Sequence, residues 1–298
     1  MDLWIVMAVA AAGFQTVRFL LQRQLSQVRL TATGATFARF VYSAPAAAAL
    51  TAVYLWAQGA ALPALNAGFW AYGAVGGAGQ VAATICTVML FGRRNFAVGM
   101  TLIKTEVLLT ALVGIVLLGE VISAAGLGAI LLGLAGVLVL SAPAAAPGRW
   151  RLLSPSAGLG LAAGALFGVS AVCYRAASLE LGGTDPFLSA GVTLAAVTLM
   201  QMIGMAVWMA WREPGEAARV LAAWRSAGWI GLTSMAGSFC WFTAFTLQTA
   251  AYVKAVGQVE LIFGLIVSVL LLCERITARE LIGMALLSLS ILALIMLT

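Results

Sequence analysis

Apolar residues run along this chain in long blocks, broken by short polar or Pro/Gly-rich stretches. Val107–Leu118 and Leu281–Leu297 are typical blocks. A bilayer is crossed by roughly 20 mostly apolar residues in helical conformation. The pattern predicts ten such helices, near residues 3–22, 34–57, 68–91, 97–118, 123–142, 157–178, 187–211, 227–247, 250–272 and 277–297. Little chain remains for loops and none for a soluble domain. The expected fold class is an all-α integral membrane protein.

Composition narrows the function. The 298 residues are 63% hydrophobic, with mean hydropathy +1.07. Only 9% are charged, against about 25% in a soluble domain. That excludes a soluble globular protein, a disordered chain and a coiled coil. There is no histidine, which removes Ser-His-Asp and Cys-His nucleophiles and imidazole ligation of haem or zinc. Cys86, Cys173, Cys240 and Cys273 are scattered in apolar stretches. They form no Cys-x-x-Cys and read as buried, inert thiols. No cofactor and no metal are expected, and an enzyme is not.

The net charge of +6 reads as membrane topology and not as nucleic-acid binding. Arg23, Arg29, Arg93, Arg94, Arg149, Arg151, Arg212, Arg219, Arg225, Arg275 and Arg279 fall on one side of the predicted helices. The side with both termini has little besides Arg175. The positive-inside rule makes the arginine-rich side cytoplasmic and turns both termini outward. Trp4, Trp56 and Trp70 fit an aromatic belt on the terminal side. Trp150, Trp211, Trp224 and Trp229 fit one on the other. The first apolar run lacks a basic leader and is read as a retained helix. The alanine-rich composition and the lack of a sorting signal point to a bacterial inner (plasma) membrane.

The chain repeats itself. Residues 103–123, "IKTEVLLTALVGIVLLGEVIS", align without gaps on residues 257–277, "GQVELIFGLIVSVLLLCERIT". Glu106 falls on Glu260 and Glu120 on Glu274, both at an offset of 154; Arg23 falls on Arg175 at an offset of 152. The one linker-like stretch, "SAPAAAPGRWRLLSPS" at 141–156, lies mid-chain. The expected organisation is a first five-helix repeat over 1–142, an inter-repeat loop over 143–156 and a second five-helix repeat over 157–298. An odd number of spans per half makes the halves an inverted repeat. That architecture is typical of transporters, with the site at the midplane between halves.

With these residues in view, the sequence resembles the drug/metabolite transporter superfamily, specifically its ten-helix EamA-type members. The resemblance rests on Gly119-Glu120 and its counterpart Cys273-Glu274, each followed by a final glycine-containing apolar helix. It rests also on Arg39-Phe40 at the start of the second helix, and on the five-plus-five repeat. It covers essentially the whole chain. The family commonly has a proline mid-way along helices four and nine, where this chain has Glu106 and Glu260. It also usually keeps its termini in the cytoplasm, opposite to the charge count.

Ionisable residues within spans are functional candidates by default. Glu106 and Glu260 lie about 14 residues, roughly 21 Å of helix, from Glu120 and Glu274. That places them deep in the bilayer. Such a carboxylate can bind a proton or a cationic substrate, and competition between the two gives antiport. It can equally pair with a buried base and only hold helices together. Arg18, Lys104 and Lys254 are the available partners. Lys104 is two positions from Glu106, so it must pair across helices or snorkel. Lys254 and Gln258 share a face, and Gln258 is the counterpart of Lys104. Acidic and basic groups together suit an amino acid-like zwitterion; an organic anion on Arg18 and Lys254 is also open. Phe14, Tyr174, Phe239, Trp241 and Tyr252 can line a cavity, with Trp241 and Tyr252 taken as candidates, although for each of the five lipid contact or packing is the more ordinary role. Gln15 and Gln80 are weak candidates. Arg39 reads as structural. Glu120 and Glu274, at helix ends facing water, read as caps or latches. Gly160, Gly164 and Gly168, and Gly73 and Gly77, read as close-packing surfaces. "GAVGGAG" at 73–79 lacks the context of a phosphate loop.

The leading expectation is a secondary active transporter of a small polar metabolite, coupled to protons and working by alternating access. The alternatives are a lipid or lipid-precursor flippase and an uncoupled facilitator or channel. The partners expected are a small-molecule substrate, the proton and the lipid bilayer, with no nucleic acid. Ten helices suffice for a pathway in one chain, so a monomer is expected.

Overall fold

A computed structural model describes residues 2–28, 30–92, 103–141, 155–183, 185–264, 266 and 278–297. Arg29, Arg93, Arg94, Arg149, Trp150, Arg151, Cys273, Glu274 and Arg275 lie outside the described residues. So do the start of the span expected from 97 and most of the 143–156 loop.

The apolar blocks are helices. In chain order they are α1 (Leu3–Val28), α2 (Ala32–Gln58), α3 (Ala67–Phe91), α4 (Glu106–Leu118), α5 (Ala124–Ser141), α6 (Pro155–Leu179), α7 (Pro186–Arg212), α8 (Glu216–Ala222), α9 (Trp224–Leu247), α10 (Ala250–Gly257) and α11 (Ala278–Leu297). Among the described residues, α1, α2, α3, α6, α7 and α9 are long and apolar enough to cross a membrane. Shorter apolar helices lie at 106–118, 124–139 and 281–297.

The ends follow capping chemistry. Thr31 accepts from the Gly34 N–H (3.0 Å), Asn66 from that of Phe69 (2.7 Å) and Asp185 from that of Leu188 (3.1 Å), with Pro186 in the first turn. These side chains satisfy donors that a helix start leaves unpaired. Gly119 closes α4 in the left-handed conformation, φ 63°. Its N–H bonds Ile115 O, four residues back, as in the αL stop of a helix, and that of Glu120 bonds Gly114 O.

The helix α8 was not expected from the hydrophobic pattern. Its fully buried Glu216 accepts from the Thr31 N–H (2.7 Å), and Glu213 accepts from the Thr31 hydroxyl (2.9 Å). The α7–α9 connection is thereby tied to the start of α2.

The largest packing pairs each join one helix before residue 142 to one after 154: α3 with α6, α5 with α11, α1 with α9, α2 with α7. The helix α4 lies against α6 and α10, and α10 also touches α1. Small residues set these approaches. A Cβ on Gly76 would lie 2.9 Å from the Tyr174 ring, and one on Gly79 3.2 Å from Leu166 O. Gly76 and Gly79 therefore face α6, whereas Gly73 and Gly77 face Val197, Met200 and Gln201 of α7. Gly168 brings α6 within 3.1 Å of the Thr110 backbone nitrogen, measured from the Cβ it lacks. Trp56, Trp211, Trp224 and Trp229 are exposed, as a belt requires. Trp4 departs from that reading. It is buried with Ile5 in the main apolar cluster, which spans both halves of the chain.

The α5–α11 contact offers a test. A Cβ on Gly136 would lie 2.8 Å from the Leu287 nitrogen and 2.9 Å from Gly283 O, both rigid backbone. Gly136→Ala is expected to destabilise by about 1–3 kcal/mol through overpacking. Nothing lies near a Cβ on Gly128, so Gly128→Ala should be neutral or stabilising. Thermal midpoints of the two variants in detergent, followed by size-exclusion fluorescence, check this order.

Candidate functional site

The site begins with two interruptions. Before Glu106, residues Lys104 and Thr105 form a turn; before Glu260, residues Gln258 and Val259 do the same. The positions correspond at the 154-residue offset. At the second break, N–H groups of Gln258, Val259 and Leu261 bond carbonyls three residues back, at Ala255, Val256 and Gln258. The four-residue pattern returns with Phe263 N–H to Val259 O. Each glutamate thus follows a break and stands in a first helical turn, where the backbone dipoles favour a carboxylate.

The four charges pair crosswise. Lys104 bonds Glu260, and Lys254 lies 3.7 Å from Glu106. All four side chains are buried. Lys104 also feels Glu106 and Lys254 electrostatically, so they act as one cluster. The two-residue spacing that kept Lys104 off Glu106 sends it across to the other half of the chain.

Polar side chains extend the cluster. Gln15 of α1 donates to Glu260 Oε2 (2.5 Å) and accepts from Trp241 Nε1 (3.2 Å). The indole N–H thereby gets the partner a buried tryptophan needs. Lys254 Nζ lies 4.7 Å from the centre of the Trp241 ring and 5.8 Å from that of Phe167, within cation–π range. A Cβ on Gly257 would collide with the Trp241 ring, so glycine lets the broken helix close on it.

A cavity of about 30 Å³ lies beside this cluster, walled by Gln15, Arg18, Arg39, Gln80, Tyr174 and Ser238, with Trp241 and Lys254 at its edge. One or two waters need that much room, so the cavity is small. Arg18 is 3% exposed and Arg39 4%. Arg18 Nη1 donates to Gln22 Oε1 (3.3 Å). Arg39 donates to Ser234 Oγ (2.7 Å), Ser238 Oγ (3.2 Å) and Thr84 Oγ1 (3.3 Å). On the far wall, Gln201 Nε2 donates to Gln80 Oε1 (3.0 Å) and to the Tyr174 hydroxyl (3.1 Å). Gln201 also borders a larger apolar groove between α3 and α7, about 530 Å³.

Glu106, Glu260, Arg18, Lys104, Lys254 and Trp241 therefore gather in one region. Gln258 sits apart, beside Lys104 in a second space of about 10 Å³ near Ser290. The Tyr252 hydroxyl turns to Gly126 of α5 and does not line the central cavity. Phe14 is exposed, and Phe239 stacks on Phe187. Gln15, Gln80 and Arg39 also wall the cavity, and Gln201, Ser234 and Ser238, which the sequence did not single out, hold them or their neighbours. Nothing in their spacing distinguishes them from ordinary helix residues.

At one end of the bundle, Arg175 bonds Glu120 Oε1 (2.5 Å), Gln248 O (2.6 Å) and Phe245 O. Glu120 is a latch, as its motif position suggested. Its side chain is only 6% exposed, so the expectation that it faces water is corrected: Arg175 of α6 lies against it.

Residues 155–296 match the EamA-like transporter family. That stretch runs from α6 to α11 and supports the resemblance to the drug/metabolite transporter superfamily. The family is one of transporters and not of enzymes. With the long apolar helices, the match supports a multi-pass membrane protein. Comparison with curated proteins gives no match. One solved crystal structure shares the fold, with a TM-score of 0.71 at 16% identity over 99% of this chain and 96% of that one.

The crossed pairs predict a specific order of stabilities. Lys104→Met leaves Glu260 buried without its cation and is expected to cost about 3–5 kcal/mol. Lys104→Met combined with Glu260→Gln should recover a large part of that loss. Thermal unfolding of the two singles and the double in one detergent measures the coupling.

Proposed function

We propose that the chain is a secondary active transporter of a small polar metabolite, an amino acid-like zwitterion or an organic ion, driven by proton exchange. The observation behind this reading is the pair of crossed Lys–Glu contacts at two helix breaks beside a small cavity lined by polar side chains. Discontinuous helices near the middle of a bundle are a recurrent way to present charge to a transported solute. The breaks fall at corresponding positions of the two halves, and the main packing pairs exchange helices between halves. Both features support ten spans arranged as an inverted repeat, 1–142 and 157–298.

The cycle follows from the pairing. With Glu106 and Glu260 ionised, each holds a lysine and the cavity stays shut. A proton on either carboxylate removes half of an ion pair and frees the lysine. The charged end of a solute then replaces the lost partner. Alternating access follows when α4 and α10 change their contacts with α6 and α1. The latch of Arg175 on Glu120 closes one end of the bundle while this happens. No resident cofactor enters this cycle.

The test is reconstitution in liposomes loaded with a pH-sensitive dye. Amino acids, organic cations and organic anions are added in turn to wild type, Glu260→Gln and Glu106→Gln. The expected outcome is solute-dependent proton movement with one class, reduced at least tenfold in both variants. Solute flux that moves no protons and survives both substitutions would replace coupling by facilitation.

A further inference from the structure

Arg18 and Arg39 stand out from the other buried charges. Lys104, Lys254 and Arg175 each meet a carboxylate. Among the described residues, no carboxylate reaches Arg18 or Arg39. Their partners carry no formal charge: one amide oxygen and the Phe19 ring (4.4 Å) for Arg18, three hydroxyls and the Phe40 ring (5.1 Å) for Arg39. The two guanidiniums come from different helices, line the same cavity and repel one another. The cavity wall contains no aspartate or glutamate. Since the crossed pairs cancel, the region is left with an excess of two positive charges.

Burying a cation without a counter-charge is strongly unfavourable. Neutral hydroxyls hold Arg39 in place but do not neutralise it. They also fix the plane of its guanidinium, and two of the five guanidinium N–H donors of Arg39 have no bond among those three hydroxyls. Guanidinium forks match carboxylate and phosphate oxygens in geometry as well as charge. We propose that Arg18 and Arg39 form an anion subsite of the central cavity, which takes the carboxylate or phosphate of a small solute. The inference gives the ligand class for the transport reading above, but binding itself can be read without transport.

The test uses wild type in nanodiscs of zwitterionic lipid, so that no anionic headgroup competes. Four probes share one scaffold: 3-phenylpropionate, phenyl phosphate, 3-phenylpropionamide and 2-phenylethylammonium. Binding is followed by tryptophan fluorescence and by the thermal midpoint. Either anion, or both, should bind at least tenfold more tightly than the amide and the ammonium; which anion does so identifies the headgroup. Arg18→Gln and Arg39→Gln should each weaken that binding at least tenfold. Arg39→Lys, which keeps the charge and loses the fork, should recover part of it and guards against a fold defect. Equal binding of the neutral amide, anion binding unchanged in both glutamine variants, or no binding of either anion at millimolar concentration overturns the subsite. Anions that bind but do not cross liposomes leave the subsite standing and remove the transport reading. Proton-coupled movement of the ammonium probe alone does the reverse.

Discussion

An isolated charge cannot be left in the low-dielectric interior of an apolar bundle, and the middle of this protein is arranged around that constraint. Lys104, Glu106, Lys254 and Glu260 are tolerable there because each has an opposite charge in reach. The pairing needs two broken helices facing one another, so α4 and α10 must be held in contact. It also needs small residues where backbones close in, supplied by Gly168 against Thr110 and by Gly257 under the Trp241 ring. Gln15 fills the remaining hydrogen-bonding capacity between Glu260 and the indole. A change at any of these positions reaches the ion pairs within one contact.

Helix positions were legible in the sequence because polarity and capping residues mark them directly. The expected span at 68–91 is α3 to within a residue, and 187–211 is α7, set by Asp185 and Pro186. The recurrence of Glu106 at Glu260 pointed to the interior, since two carboxylates at matching places in apolar helices are hard to explain otherwise. Their partners were less legible. Spacing excluded Lys104 from Glu106 but said nothing of which distant helix it would meet.

The parts that escaped are those fixed only by tertiary packing. Arg39 looked like a helix-start arginine, because its hydroxyl partners Thr84, Ser234 and Ser238 are remote in sequence and common in membrane helices. Trp4 looked interfacial from its place in the chain, yet it packs inward with Ile5. The break at Gln258–Val259 has no proline to announce it. The cue was instead the alignment with Lys104–Thr105, and it becomes readable only once one of the two turns is known.

The crossed pairs have an electrical consequence. A lysine and a glutamate that shift together take no net charge through the membrane field, so the membrane potential does no work on α4 and α10 while both pairs stay intact. Arg18 of α1 and Arg39 of α2 have no carboxylate companion of this kind among the described residues. Each is subject to about 2.3 kcal/mol per 100 mV for a full crossing of the field, and to the corresponding fraction for a partial one. Voltage therefore acts on α1 and α2, and an anion seated between them would cancel part of that force.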